Sequence, residues 1–91
     1  MFVLVVYDIS HDRRRTKLHD ALLDYGSPVQ YSVFECIGDK KRIKKMKQAV
    51  GKVIKPKQDR VRFYTLCQAC VAQTEVTSGP EVLHEVEAIV V

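Results

Sequence analysis

The feature that most constrains the fold is an unbroken apolar run, Phe2 to Val6, that ends abruptly at polar residues. A short β-branched run of this kind is typical of a strand buried on both faces. Asp8 closes the run, and the sequence then predicts a helix with Asp12 as its candidate N-cap. Three arginines follow Asp12 directly. An oxygen ligand for a hard cation therefore lies one loop before a group of phosphate-binding guanidinium groups.

The next part of the chain predicts a helix, a strand region and a second helix. The apolar stripe that starts at Leu18 has helical spacing, and Gly26 is expected to end that helix. Val29 to Ile37 is rich in β-branched and aromatic residues and predicts either one bent strand or two short ones. After Gly38 and Asp39, apolar residues on one side and lysines on the other predict a second helix that ends at Pro56.

Alternation of polar and apolar residues predicts a strand over Arg60 to Leu66, and Val71 to Val76 is a candidate for another short strand. Together, the segments give an α+β sandwich. The ferredoxin-like βαββαβ arrangement is the natural candidate, with an antiparallel sheet, two helices on one face and a short C-terminal strand or tail. We expect one domain over 1–78 and a tail over 79–91 that docks on a partner subunit, because its apolar end is unusual for a solvated terminus.

The charge distribution is strongly asymmetric. The formal net charge is +4, but the stretch from Asp39 to Arg60 alone has ten basic and two acidic side chains, a net charge of +8. A localised basic surface favours a polyanion such as nucleic acid. A merely solvated lysine-rich helix face explains the charge alone equally well.

Two further features of the sequence indicate the cellular compartment and the role of the cysteines. The apolar start is too short to span a bilayer and lacks a positive leader, so we expect a cytoplasmic protein. The odd cysteine count, Cys36 with the Cys67–Cys70 CxxC pair, argues against a secreted disulfide framework. The CxxC pair could have a metal or redox role. The preferred interpretation is that both residues are partly buried thiols without a special role.

Three motifs resemble a known family. They are YDIS-x-D-RR-x-x-KL from Tyr7, VQYSVFEC ending at Cys36, and D-x-VRFY-x-LC-x-x-C from Asp59 to Cys70. In this order they resemble the second CRISPR-associated protein, the small subunit of the prokaryotic spacer-acquisition complex, over nearly the whole chain up to about Gly79. The resemblance implies a ferredoxin-like homodimer that binds the CRISPR integrase subunit, bridges protospacer DNA, and has Mg²⁺-dependent endonuclease activity on RNA or double-stranded DNA.

The resemblance also implies roles for individual residues. The family's catalytic, metal-binding aspartate falls on Asp8, its neighbouring arginines on Arg15 and Lys17, and its SVFE aromatic on Phe34. Many members have an arginine where this chain has Pro28, so a nuclease step that uses that arginine is not expected here. The nucleic-acid-binding candidates are the cations of the first helix and of the start of the second: Arg13, Arg14, Arg15, Lys17, Lys40, Lys41, Arg42, Lys44 and Lys45.

The residues by themselves leave alternatives open. Asp8 could instead cap the following helix or pair with an arginine, and one carboxylate per chain binds Mg²⁺ weakly unless a two-fold axis brings in a second. His11 is a conceivable general base. Three functions remain as hypotheses: a dimeric DNA-binding scaffold of CRISPR adaptation, a stand-alone toxin-like endoribonuclease, and a ferredoxin-like nucleic-acid-binding module without chemistry.

Overall fold

A computed structural model describes residues 1–83 and contains four strands and three helices. The strands are β1 (Phe2–Asp8), β2 (Gly26–Gln30), β3 (Val33–Ile37) and β4 (Arg60–Leu66). The helices are α1 (Asp12–Leu23), α2 (Lys40–Val53) and α3 (Gln68–Ala72). The predicted order of elements is confirmed as far as β4. Of the two alternatives for Val29 to Ile37 the structure has two short strands, the end of β2 and the whole of β3. No helix within residues 1–83 is long and apolar enough to cross a membrane.

The four strands form one antiparallel sheet in the order β2-β3-β1-β4. The apolar strand β1 is central, and its residue Val5 lies between Phe34 of β3 and Phe63 of β4. Alternate strands are joined through α1 and α2, which gives the predicted ferredoxin-like sandwich.

Side chains on one face of the sheet form the core with the two long helices. Val3, Val5 and Tyr7 of β1 are buried there, because successive strand residues point to opposite faces. Leu18 and Leu22 of α1 are fully buried against them, as are Met46 and Val50 of α2. On the other face, Leu4 and Val6 are only half-buried, so the expectation of a strand buried on both faces was right for one face alone.

Two predicted helix boundaries need correction. The N-cap of α1 is His11, whose Nδ1 accepts a hydrogen bond from the Arg14 backbone N–H at 3.2 Å. Asp12 is instead the first helical residue, where its negative charge suits the positive end of the helix dipole. Gly26 does not follow the helix as a C′ residue, because it begins β2.

Strand β2 forms one edge of the sheet and has two local features. A Cβ atom at Gly26 would lie 2.1 Å from the Glu35 carbonyl oxygen, so this glycine is required by the close approach of β2 to β3. Pro28 pairs with Phe34, and the register shifts between Pro28 and Gln30. The Tyr31–Ser32 turn then leads into β3, with Ser32 at a φ of +61°.

The segment after β4 differs from its prediction. Val71 to Val76 is not a strand, because Gln68–Ala72 forms the short helix α3 and the following residues are irregular. The Val71 N–H bonds to the Cys67 carbonyl at 3.0 Å. Further along, the Leu83 N–H donates to the Glu35 carboxylate at 3.2 Å, on the sheet face that the helices leave open. Most of the predicted 79–91 tail lies outside the described residues, and its docking stays a prediction.

Candidate nucleic-acid interface and metal ligand

Asp8, the candidate catalytic and metal-binding residue, ends β1 with an exposed side chain. Its partner across the sheet is Arg60 of β4. Among residues 1–83, no hydrogen bond or ion pair holds the Asp8 carboxylate, and the cap of α1 is provided by His11. In the single chain, Asp8 therefore has neither of the structural roles that the sequence left open for it.

Arg14 has partners within its own chain. Its Nε lies 2.8 Å from one carboxylate oxygen of Asp59, and its Nη2 lies 3.0 Å from the other. Asp59 is buried, and it also accepts a hydrogen bond from the Lys55 N–H at 2.8 Å. The Arg14 guanidinium and then the Lys55 N–H stabilise the ionised carboxylate, which lowers the pKa of Asp59. Only 11% of the Arg14 side chain is exposed. Its contacts with Asp59 connect α1 to the loop before β4.

Arg15 holds the loop that joins β1 to α1. Its guanidinium donates to the Ile9 carbonyl at 2.9 Å and to the Asp12 carboxylate at 2.6 Å. The hydrogen bond to Asp12 is the main cause of a raised pKa for Arg15. The guanidinium carbon also lies 5.9 Å from the centre of the Tyr31 ring, within the range of a cation–π contact.

Two cations of α1 are left for a ligand. Arg13 and Lys17 are exposed, and within residues 1–83 neither side chain has a hydrogen bond, ion pair or ring contact. They lie on the helix that starts just after Asp8. The first predicted group of nucleic-acid-binding residues therefore divides into two anchored arginines, Arg14 and Arg15, and two unengaged cations.

The second predicted group lies at the start of α2, where the Asp39 carboxylate caps the helix by accepting the Arg42 N–H at 2.8 Å. The Arg42 side chain donates to the Asp24 carbonyl at the end of α1 at 2.8 Å and lies 5.2 Å from the Tyr25 ring. The remaining members, which are exposed and without side-chain partners among residues 1–83, are Lys40, Lys41, Lys44 and Lys45.

The structure does not bring the two groups together. Ile37, at the end of β3, pairs with Phe2, so α2 starts at the end of β1 that is opposite to Asp8. Strand β1 rises by about 3.3 Å per residue and therefore separates its two ends by about 20 Å. The lysines of early α2 belong to a surface distant from Asp8, whereas Arg13 and Lys17 belong to its own end of the sheet.

The predicted metal site depends on Asp8 alone in this chain. Among residues 1–83, no cluster of three or more His, Cys, Asp or Glu side chains could hold an ion. Mg²⁺ usually keeps several waters and takes one or two carboxylates together with substrate phosphates. A free, exposed carboxylate fits the ion as one ligand, and the other ligands would have to come from water, phosphate or a second copy of the chain.

The cysteines separate into a buried thiol and an exposed pair. Burial raises the pKa of Cys36 to about 11. Cys67 and Cys70 are exposed at the start of α3, and a hydrogen bond from the Cys70 backbone N–H lowers the pKa of Cys67. The expected partial burial of the CxxC pair was therefore wrong.

Sequence reasoning missed three residues near this end of the sheet. Asp59 was part of a quoted motif but had no assigned partner, because Arg14 lies 45 residues away. Tyr31 was part of the quoted VQYSVFEC motif but had no assigned role in binding or catalysis, and it is 78% exposed in the single chain. His19 packs edge-on against Phe34 with 5.1 Å between ring centres, and Phe34 itself is a core residue with 1% exposure.

Comparison with known proteins places these features in a family. The model of the family described as CRISPR associated protein Cas2 matches residues 1–74. A Synechocystis protein named CRISPR-associated endoribonuclease Cas2 3 is 36% identical over 92 residues, which cover 100% of both chains.

Solved structures agree with the sequence comparison. The crystal structure of Streptococcus pyogenes Cas2 at pH 6.5 is similar with a TM-score of 0.75 and 31% identity, covering 86% of this chain and 100% of that one. A chain of a partial Cas6-RT-Cas1–Cas2 complex is similar with a TM-score of 0.73 and 28% identity, covering 91% and 97% of the two chains.

Proposed function

This chain belongs to the Cas2 family of CRISPR-associated proteins, and on that basis we propose that it is a nucleic-acid-binding subunit of the CRISPR adaptation machinery. In this proposal a homodimer bridges protospacer DNA and binds the integrase subunit. It also hydrolyses phosphodiester bonds with Mg²⁺ at Asp8. The relative named an endoribonuclease supports the nuclease, and the Cas1–Cas2 assembly supports the integrase partner. The proposal also places the protein in the cytoplasm.

The observation that carries the proposal is the free Asp8 carboxylate at one strand end with unengaged cations on the next helix. A buried or ion-paired aspartate would lose a ligand position to its own chain. Here Arg14 and Arg15 are used to hold the loop and helix in place. Arg13 and Lys17 are free to neutralise a phosphate next to Asp8.

In the proposed chemistry the protein positions the ion and the nucleic-acid strand and neutralises phosphate charge. Mg²⁺ bound at Asp8 would supply charge stabilisation to a phosphoryl oxygen. Arg13 and Lys17 bind the neighbouring phosphates and orient the strand. Two Asp8 side chains related by a two-fold axis would give the site a second carboxylate. The His11 Nδ1 accepts the Arg14 N–H, which leaves only Nε2 of that ring to move a proton.

Duplex binding is assigned to the helix surface formed by Lys40, Lys41, Lys44 and Lys45. Contacts between such cations and phosphates give affinity without sequence choice. Because α2 starts at the end of the sheet opposite to Asp8, binding and cleavage are separable by mutation. A stand-alone endoribonuclease is the second candidate, and it is favoured by the name of the Synechocystis relative.

The test compares wild type with Asp8→Ala on labelled double-stranded DNA and single-stranded RNA, in Mg²⁺ and in EDTA. We expect cleavage that needs Mg²⁺ and disappears in Asp8→Ala, while duplex binding persists. Asp8→Ala should fold normally, because the side chain is exposed and has no partner within residues 1–83.

The outcomes separate the candidates. Cleavage of RNA without duplex binding would favour the stand-alone endoribonuclease. Duplex binding with no Asp8-dependent cleavage would leave a non-catalytic scaffold. Lack of binding to any nucleic acid would refute the proposal.

A further inference from the structure

A cavity of about 340 Å³ opens between the start of α1 and the β2–β3 turn. Tyr7, the residue before Asp8 on β1, lines it, so the cavity lies at the same end of the sheet as Asp8. Its other lining residues come from α1 and from the β2–β3 hairpin: Arg15, Thr16, His19, Pro28, Gln30, Tyr31 and Ser32. This volume is at the small end of the range for ligand sites, and it is enough for one planar heterocycle.

Tyr31 is the unusual member of this lining. Its ring is 78% exposed on a turn, although a large aromatic side chain gains most by burial. The Arg15 guanidinium lies 5.9 Å from the ring centre and is itself fixed by the Ile9 carbonyl and Asp12. The Tyr31 ring therefore lies near the Arg15 guanidinium, which is held in place, while much of the ring surface is open to solvent.

The turn that presents Tyr31 has an uncommon backbone conformation. Ser32 has a φ of +61°, in the left-handed region that residues with a Cβ rarely adopt. The Ser32 carbonyl accepts a hydrogen bond from the Tyr7 N–H at 3.1 Å, which fixes the turn against the end of β1. Such conformations persist where surrounding contacts enforce them, and they are frequent at ligand sites.

The remaining lining supplies polar groups that could read the edge of a heterocycle. Thr16, His19, Gln30 and Ser32 have side chains that donate and accept hydrogen bonds. Tyr7 adds a phenol hydroxyl to this lining, which can donate and accept a hydrogen bond. An aromatic face, mixed polar groups and a cation are the components of sites that bind unpaired bases.

We propose that this cavity binds one unpaired nucleobase, with the base stacked on Tyr31 and its edge facing the polar groups. The inference rests on the proposed function and specifies its substrate: the strand held at the Asp8 end of the sheet is single-stranded. A base inside a duplex is stacked on both sides and cannot enter such a cavity. Duplex DNA is left to the distant lysines of α2.

The experiment measures binding in EDTA, where no metal-dependent cleavage occurs. Fluorescence anisotropy gives the affinity of wild type, Tyr31→Ala, Tyr31→Leu and Tyr31→Phe for a labelled single-stranded oligonucleotide and for the matching duplex. Leucine keeps apolar bulk without an aromatic face, whereas phenylalanine keeps the face. All four proteins are expected to have the same thermal stability, because the residue is exposed on a turn.

We expect Tyr31→Ala and Tyr31→Leu to weaken single-strand binding by roughly 5- to 150-fold, as found for loss of one base stack. Tyr31→Phe should bind like wild type, and duplex affinity should be the same for all four. A 2-aminopurine base in the single strand should lose fluorescence on binding to wild type and much less on binding to Tyr31→Ala, because stacking quenches it.

Unchanged single-strand affinity in Tyr31→Ala would overturn the cavity assignment and leave the proposed function intact. Equal losses on single strands and duplex would also overturn it, since Tyr31 would then support binding in general. Wild-type affinity in Tyr31→Leu would replace stacking by simple apolar contact. Lack of binding of wild type to either probe would refute the proposed function and this inference together.

Discussion

The Arg14 guanidinium contacts both oxygens of the buried Asp59 carboxylate, at 2.8 and 3.0 Å. This pair connects the first turn of α1 to the loop before β4, and so it fixes the helix that follows Asp8 to the strand beside Asp8. A candidate site on an exposed strand end depends on such fixed neighbours. Arg14, which the sequence grouped with phosphate ligands, is therefore assigned to the scaffold.

Removing the charge of Asp59 should destabilise the protein in a pH-dependent way. The pKa of Asp59 is lowered in the folded state, so its contribution is complete above the unfolded pKa of about 3.9 and is lost as the pH falls through the folded value. Asp59→Asn should lower the Tm by about 10 °C at pH 7. The difference from wild type should begin to shrink below about pH 3.9, where the unfolded chain binds the proton, and should be lost once the pH is below the folded pKa of Asp59.

Thermal unfolding followed by circular dichroism between pH 2 and pH 7 checks this. Asp24→Asn is the matched control, because Asp24 is exposed and its carboxylate has no hydrogen bond or ion pair within residues 1–83. A constant difference between wild type and Asp59→Asn across that range would show that the charge of Asp59 has no part in stability.

Two glycine-to-alanine changes should act in opposite directions. The Cβ of Gly26→Ala would lie 2.1 Å from the Glu35 carbonyl oxygen and 2.7 Å from the Cys36 Sγ, so β2 must move away from β3. We expect a loss of about 1–3 kcal/mol in the free energy of unfolding. At Gly51, in the exposed part of α2, an added Cβ meets nothing within 4 Å, and alanine should add up to about 1 kcal/mol. Urea unfolding of both variants measures this, and a stabilised Gly26→Ala would contradict the contact.

The three cysteines should react with thiol reagents in a fixed order. Cys67 should react first, because the Cys70 N–H lowers the pKa of its thiol, and the hydrogen bond of the Cys70 thiol to Cys67 raises the pKa of Cys70. Buried Cys36, with a pKa of about 11, should react only after unfolding. Alkylation at pH 7.5 followed by peptide mass mapping checks the order. Early labelling of Cys36 would mean that the core opens readily.

The α2 surface should determine the salt dependence of duplex binding. If Lys44 and Lys45 each neutralise one phosphate, the double alanine variant should reduce the slope of log K against log salt by about 1.8. Asp8→Ala is the control and should leave that slope unchanged. Equal slopes in wild type and the double variant would remove these lysines from the interface.

Local patterns in the sequence predicted the main elements well. Strand β4 has the predicted bounds, Arg60 to Leu66, because its alternation is a period-2 signal that packing did not override. The prediction for the segment after it was wrong, because Val71 and Val76 suggested a strand while Gln68, Ala69 and Ala72 favour a short helix. The cap of α1 was misplaced by one residue, because histidine is an uncommon N-cap.

The candidate site was less accessible from sequence than the fold. Asp8 and the cations could be listed, because their residue types and neighbours are local. That Arg14 is held by Asp59, or that Tyr31 lies over Arg15, depends on contacts between residues far apart in the chain. Only the assembled sheet separates the α2 lysines from Asp8 by the length of a strand.

Pro28 has a consequence for how copies of the chain can associate. Within residues 1–83, the two edges of the sheet are β2 and β4, and β2 contains a residue without an N–H and a shift of register. Such an edge is a poor template for a further strand, whereas β4 offers a regular one. Growth of the sheet from copy to copy requires two usable edges. With the β2 edge blunted, any copies that paired through β4 could not extend the sheet further, which disfavours fibrous aggregation of this small basic protein.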